Sequence, residues 1–373
     1  MEILHLYKDY FPVLGGIENH VRLLAEAQAA RGHTVTVLVA GRGPQTQIEQ
    51  LNGVRVIRAG RLATVASTPL SLALALRLRA ERPAILHQHM PYPAGDAAQA
   101  VFSRAQRRVI TYHSDIIRQR ALLRFYAPLL RHSLHRAHAI IATSPPYVTS
   151  SPFLAPLAGH CTVIPYGIDV AHFAQADSAE VAAIRQRYGP RLILFVGQLR
   201  YYKGVDYLIR AMPSVDGCVL LAGGESSQRQ AELEALARSL GVAERVIFMG
   251  QQTAALPALY HACDVFALPS IERSEAFAIV QLEAMAAGRP VVSTDVGTGV
   301  AWVNQHDRTG LVVPPRDPPA LAAALNQILA NPTRASEMGA AGQRRVTDNF
   351  AQEQMLARIE QLYAQVLAAP VDT

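Results

Sequence analysis

Ser274-Glu275-Ala276-Phe277-Ala278-Ile279-Val280-Gln281-Leu282-Glu283-Ala284-Met285-Ala286-Ala287-Gly288-Arg289-Pro290-Val291-Val292 follows the apolar run Val265–Leu268 and leads into another at 290–294. Phe277 to Ala287 has helix-forming composition, and Gly288 and Pro290 end it. The stretch therefore reads strand, loop, helix, strand, the unit that builds a parallel sheet with helices on its faces. Outward from it the same alternation fills the chain. Strands are expected at 2–7, 34–40, 54–58, 84–87, 109–112 and 139–143, and again at 192–196, 218–222, 245–249, 265–268 and 290–294. The class is α/β, with two similar doubly wound domains and ligands expected at the carboxyl ends of the strands. The helical stretch 351–367 suits packing on either domain.

The 373 residues are half hydrophobic and 17% charged, which excludes a disordered or fibrous chain. The longest charge-free apolar run, between Arg61 and Arg77, is too short and too rich in Ser, Thr and Pro to span a bilayer. The N-terminus lacks a basic region before its apolar residues and reads as a first strand. Three cysteines without ligand spacing point to a reducing, cytoplasmic setting. Charge divides unevenly: residues 1–189 carry 20 Lys+Arg against 11 Asp+Glu, and 190–373 carry 15 against 18. Only Lys8 and Lys203 are lysines, so Lys203 invites a specific role.

Several nucleotide motifs fail. Gly41-Arg42-Gly43 continues with Pro44, which breaks the dinucleotide fingerprint, and Tyr202 and Gly204 around Lys203 break the Walker A pattern. His87-Gln88-His89 reads as polar residues lining the end of a strand, without the carboxylates a metal site usually adds.

Four segments carry chemistry. Glu275 lies at a helix entrance and Glu283 two turns inside; free amides there favour a diphosphate, and carboxylates accept sugar or ribose hydroxyls. Leu194-Phe195-Val196-Gly197-Gln198-Leu199-Arg200-Tyr201-Tyr202-Lys203-Gly204 runs from a buried strand through a glycine turn into a basic loop at the sheet's carboxyl edge. Gly15-Gly16 after the first strand allows close backbone approach, as in an anion nest. Thr111-Tyr112-His113-Ser114-Asp115 brings a strand into a polar cluster.

Taken in order, these segments resemble glycosyltransferase family 4, retaining nucleotide-sugar transferases of the GT-B fold, in which two Rossmann-like domains face each other across a cleft. The resemblance rests on Gly15-Gly16-x-Glu18, Arg31-Gly32-His33-x-Val35-x-Val37, Tyr112-His113-Ser114-Asp115, Ile164-Pro165-Tyr166-Gly167-Ile168-Asp169, Lys203-Gly204 and Glu275-x7-Glu283 with Ala284 to Val292. It implies an acceptor-side domain over 1–168, a donor-binding domain over 169–354, and a terminal helix near 355–373 returning to the first. It also implies roles: Glu283 on the ribose, Glu275 on the donor sugar, and Lys203 on the diphosphate with the Gly16 loop and the amides of Phe277, Ala278 and Ile279. His113 approaches the sugar, and Gln251 reaches toward the base. Gly15, Asp115 and His89 fall on the acceptor side. No metal or cofactor is implied; GDP- or UDP-hexose is the donor. One departure stands out: the family places Arg directly after the glycine matched by Gly197, and this chain has Gln198, with Arg200 as the candidate replacement.

The acceptor is expected to be a saccharide, lipid-linked and destined for surface polysaccharide. Residues 116–138 carry Arg118, Arg120, Arg124, Arg131 and Arg136 without an acid, interleaved with apolar residues at helical spacing, which suits an anionic inner membrane surface. Other GT-B sugar enzymes, an epimerase or a phosphorylase, are the rival reading. Nucleic acid is not an expected partner, because no binding motif accompanies the basic charge.

Overall fold

The computed structural model describes residues 1–13, 15–65, 68–117, 120–224 and 226–370, without the side chain of Arg120. The chain divides into an N-terminal unit, Met1–Tyr166 with the C-terminal stretch from Glu353, and a C-terminal unit, Gly167–Gln352. The N-terminal sheet comprises β1 (Glu2–Leu6), β2 (Thr34–Ala40), β3 (Gln47–Leu51), β4 (Val54–Ala59), β7 (Ile85–Met90), β8 (Arg107–Tyr112), β9 (Ala139–Ala142) and β10 (Cys161–Val163), with β5 (Ala63–Val65) and β6 (Thr68–Leu70) as a separate hairpin. Its order is β10-β9-β8-β7-β1-β2-β4-β3, parallel except at β3–β4. The C-terminal unit holds β11 (Leu192–Val196), β12 (Cys218–Ala222), β13 (Val246–Gly250), β14 (Val265–Leu268), β15 (Val291–Thr294) and β16 (Gly310–Val313), in the order β13-β12-β11-β14-β15-β16.

Every strand pair in the second sheet is parallel, so both of its faces must be covered. Leu192-Ile193-Leu194-Phe195-Val196 is buried at all five positions for that reason. In the first sheet strand alternation divides the side chains. Leu4, Leu6 and Leu86 meet the helices Leu72–Ala80 and Pro93–Phe102 on one face. On the other, Ile3, Ile85 and Val109 pack with Met355, Leu356, Ile359 and Tyr363. The helix Gln352–Ala368 therefore closes the N-terminal core after the chain has passed through the second unit.

The expected strands correspond closely to those observed, with two instructive differences. The strand expected at 84–87 runs to Met90, which places His87 and His89 inside it, fully buried. The strand Gln47–Leu51 escapes sequence reading because it is an exposed antiparallel edge whose residues alternate without an apolar face.

Candidate functional site

In the C-terminal sheet the strand order reverses between β11, the first strand, and β14, the fourth. The crevice beyond the carboxyl ends of those two strands is where open α/β sheets bind ligands. The loops that leave them are tied together. Ile271 N–H donates to the Tyr202 carbonyl at 2.8 Å. Gly204 adopts φ +67°, and a Cβ there would stand 2.0 Å from the Pro269 carbonyl, so only glycine fits. Beyond β12, Gly223 presses on the Gly197 carbonyl so closely that a Cβ would come within 1.7 Å.

This tie brings Lys203 to Glu275. Lys203 Nζ stands 2.5 Å from Glu275 Oε2, with both side chains almost wholly buried, and Ser270 Oγ donates to the same oxygen at 3.1 Å. Burial by itself would lower the Lys203 pKa; the adjacent carboxylate outweighs it and the net shift is upward. The ammonium also lies beside Gly197, near enough to touch a Cβ added there. Thr298 Oγ1 donates to the Glu275 carbonyl at 2.6 Å and Gly299 N–H to the Ala276 carbonyl at 2.9 Å, fixing the loop before the helix.

That helix, Ile279–Ala286, starts later than its composition suggests. Ala278 caps it at φ +61°, a left-handed conformation uncommon for a residue with a Cβ and of the kind that accumulates at functional sites. Phe277 and Ala278 thus precede the helix, and Ile279 is its first residue. Glu283, half-buried on the same helix, accepts from Tyr260 Oη at 2.7 Å. Burial raises its pKa to about 7, with the tyrosine hydroxyl pulling the other way. Gln251 is exposed just after β13, two strands and roughly 10 Å out from β11. Gln198 and Arg200 are exposed on the loop after β11. The Arg200 guanidinium acts on the Tyr202 hydroxyl, and its charge works against that of Lys203.

In the N-terminal unit, Gly15 caps the helix Gly16–Ala30 with extended backbone (φ −173°), so neither glycine forms a left-handed nest. A Cβ on Gly15 would meet Glu18 Oε2, whereas Gly16 faces open space. Lys8, the other lysine, lies 4.0 Å from Glu18. His113 is buried, with Nε2 2.9 Å from His89 Nδ1 and Nδ1 bonded to Tyr166 Oη. Asp115 accepts from Tyr112 Oη and Ser151 Oγ. His89, expected at a strand end on the acceptor side, is the last but one residue of β7 and is fully buried. Among the described residues, His5, His87 and His89 are the group close enough together to hold a metal, with ligand atoms within 4.8 Å of one another.

Sequence comparison places these features in a family. The model described as "Glycosyl transferases group 1" matches residues 178–345, and that described as "Glycosyltransferase Family 4" matches 14–195. The chain is 36% identical over 357 residues to the D-rhamnosyltransferase WbpZ of Pseudomonas aeruginosa, covering 94% of this chain and 92% of that protein. It belongs to glycosyltransferase family 4. It is also 34% identical over 371 residues to an O-antigen chain mannosyltransferase C of Escherichia coli, covering 98% and 99%. The sucrose-phosphate synthase of Thermosynechococcus elongatus superposes with a TM-score of 0.84 at 27% identity, covering 99% of each chain. The fold is GT-B.

Two groups of this family 4 transferase were not visible in its sequence. Tyr260 comes from another helix to hold Glu283, and Ser270, two residues past β14, holds Glu275. Neither sits in a motif; each is found only through the carboxylate that it serves. The substitution of Gln198 for the family's Arg yields a prediction. Arg200→Ala is expected to lower turnover about tenfold more than Gln198→Ala, roughly 1.4 kcal/mol, because Arg200, unlike Gln198, carries a charge beside Lys203. Gln198→Arg is expected to rescue part of the loss. Steady-state kinetics of the three variants check this, and full activity in Arg200→Ala would make Arg200 a surface residue.

Proposed function

We propose that the chain is a retaining, metal-independent hexosyltransferase that moves a hexose from a GDP- or UDP-linked donor to a lipid-linked saccharide in surface polysaccharide assembly. The observation that carries the reading is the Lys203–Glu275 pair at the β11/β14 switch point, with Glu283 about one turn inside the helix that follows. In this reading the diphosphate lies against Lys203 and the amides of Phe277 to Ile279, and Gly16 keeps the diphosphate role that the family resemblance assigns it. Glu283 takes the ribose hydroxyls, Gln251 lies toward the base, and Glu275 takes the donor-sugar hydroxyls; His113 keeps its assigned role at that sugar. As the bond from C1 to the phosphate oxygen breaks, negative charge grows on the leaving diphosphate, and Lys203 and Arg200 stabilise it. The acceptor oxygen bonds C1 on the same face and its proton passes to the departing phosphate oxygen, so the anomeric configuration is kept. The rhamnosyl and mannosyl transferase relatives, one of them acting on O-antigen, support a hexose and a surface polysaccharide. Incubation with GDP- and UDP-hexoses and a lipid-linked saccharide tests the reading. Proton NMR should show the donor's anomeric configuration in the product; an inverted product would refute retention.

The acceptor's lipid calls for a route to the membrane. No helix among the described residues is long and apolar enough to cross one. The helix Arg120–His135 turns Tyr126, Leu130 and Leu134 into the core and leaves Leu122 half exposed and Phe125 86% exposed, beside the exposed Arg124. The apolar residues that look like one stripe in the sequence therefore divide between two faces. Arg118 lies outside the described residues. An outward Phe among cations suits an anionic lipid surface. Vesicles with anionic lipid are expected to bind more protein than neutral ones, and salt to weaken the binding. Replacing Arg118, Arg120 and Arg124 by Gln should remove most of the difference, at roughly 1 kcal/mol per basic residue. Equal binding to both vesicle types would leave the helix without a membrane role.

A further inference from the structure

Strand alternation places His5 on β1 and His87 and His89 on β7 side by side, on the face covered by the helices Gly16–Ala30 and Gln352–Ala368. His113 follows β8. All four rings are buried, and burial holds every one far below the usual histidine range, His5 at about 4. His20 packs edge-on against His89, His113 and Tyr166, and its pKa falls to about 3. These imidazoles are neutral, so each ring has one N–H donor and one acceptor.

That constraint ties every proton in the row to the orientation of the Gln28 amide. Gln28 Oε1 only accepts, so His5 Nε2, 2.8 Å away, carries the hydrogen and His5 Nδ1 accepts. His89 Nε2 must then donate to His5 Nδ1 at 3.1 Å, and His113 Nε2 to His89 Nδ1 at 2.9 Å. This leaves His113 Nδ1 to accept from Tyr166 Oη. On its other side, Gln28 Nε2 donates to Tyr363 Oη at 3.5 Å. The tyrosine then donates to His87 Nδ1 at 2.5 Å, and His87 Nε2 to Thr111 Oγ1 at 2.6 Å. Eight groups form one line in which every donor points the same way: Tyr166, His113, His89, His5, Gln28, Tyr363, His87, Thr111. Reversing the Gln28 amide would reverse them all. The three rings nearest a metal arrangement already use both nitrogens in this line, which argues against an ion among them.

We infer that Gln28 is a positioning residue for His113, setting its tautomer through His5 and His89 and so deciding that its Nε2, not its Nδ1, carries the proton. The effect on transfer rests on the proposed placement of His113 at the donor sugar, where the bonds of its two nitrogens to His89 and Tyr166 hold the ring in place; the tautomers do not.

Nitrogen-15 NMR of the full chain reads which ring nitrogen is protonated. In the wild type, His5, His87, His89 and His113 are expected as Nε2–H tautomers that remain neutral where an ordinary histidine would take up its proton. In Gln28→Glu the carboxylate accepts on both sides and draws the Tyr363 hydrogen away from His87. His87 alone should then switch to Nδ1–H, and kcat should stay near wild type. Gln28→Leu removes the lock: mixed tautomers at His5, His89 and His113 are expected, with kcat about tenfold lower and the donor KM little changed. Mixed tautomers in the wild type, or no change at His87 in Gln28→Glu, would overturn the inference. So would Zn2+ added alone binding stoichiometrically at a site that His87→Gln removes. Tautomers as expected in every variant, with unchanged kcat in Gln28→Leu, would overturn the positioning role. Absence of transfer from any nucleotide sugar would strike the donor-site reading instead, leaving the tautomers to be judged separately.

Discussion

Lys203→Ala is expected to lower kcat by about two to three orders of magnitude, the cost of removing a preorganised charge from a developing anion. It is also expected to destabilise the C-terminal unit by about 3 kcal/mol, because Glu275 would keep its burial and lose the cation 2.5 Å away. The two effects separate in a second variant. Lys203→Ala with Glu275→Gln removes the uncompensated carboxylate, so stability should return while turnover should not. Glu275→Ala alone should act mainly on kcat with the complete sugar donor, leaving nucleoside diphosphate affinity close to wild type, since its assigned partner is the reacting sugar. Steady-state kinetics and urea unfolding of the three variants check these outcomes. Wild-type turnover in a folded Lys203→Ala variant would remove the lysine from the diphosphate site.

Glu283→Ala is expected to weaken nucleoside diphosphate binding about tenfold to a hundredfold, the worth of hydroxyl hydrogen bonds to a charged acceptor. The pH dependence follows from the carboxyl's environment. Its folded-state pKa is raised from 4.5 to about 7, so its contribution to stability is fully present below about 4.5 and is lost as pH rises through about 7. A carboxylate accepts two ribose hydroxyls better than the protonated acid, so nucleotide affinity should rise as pH passes upward through about 7. Glu283→Gln cannot ionise and should flatten that component. Calorimetric titration of the wild type and both variants across this range checks it; an unchanged affinity in Glu283→Ala would end the ribose assignment.

The fold was legible because fully buried parallel strands are continuous apolar runs, as in Leu192–Val196, separated by helical patterns. What escaped was short or exposed: the edge strand Gln47–Leu51, and Gly310–Val313, whose four residues give no period to read. In the site, Lys203 stood out as one of two lysines, Glu275 by its place at a helix entrance and Glu283 by its place inside that helix. The ion pair between Lys203 and Glu275 was not legible, because it depends on Gly204 letting the loop after β14 pass against it. The histidine row illustrates the same limit at longer range. His87 and His89 show their common face at once, whereas Gln28 joins Tyr363 across 335 residues.

The measurement that bears most directly on the nucleotide-sugar site is thermal unfolding with GDP-, UDP- and ADP-hexoses, in the wild type and in Glu283→Ala. A ligand that binds only the folded chain raises its stability by about 2.7 kcal/mol at a hundred times its Kd. At least one of these donors is expected to raise the melting temperature of the wild type, and to do so far less in Glu283→Ala. No shift with any of them, or the same shift in both proteins, would contradict a donor site at the carboxyl ends of β11 and β14.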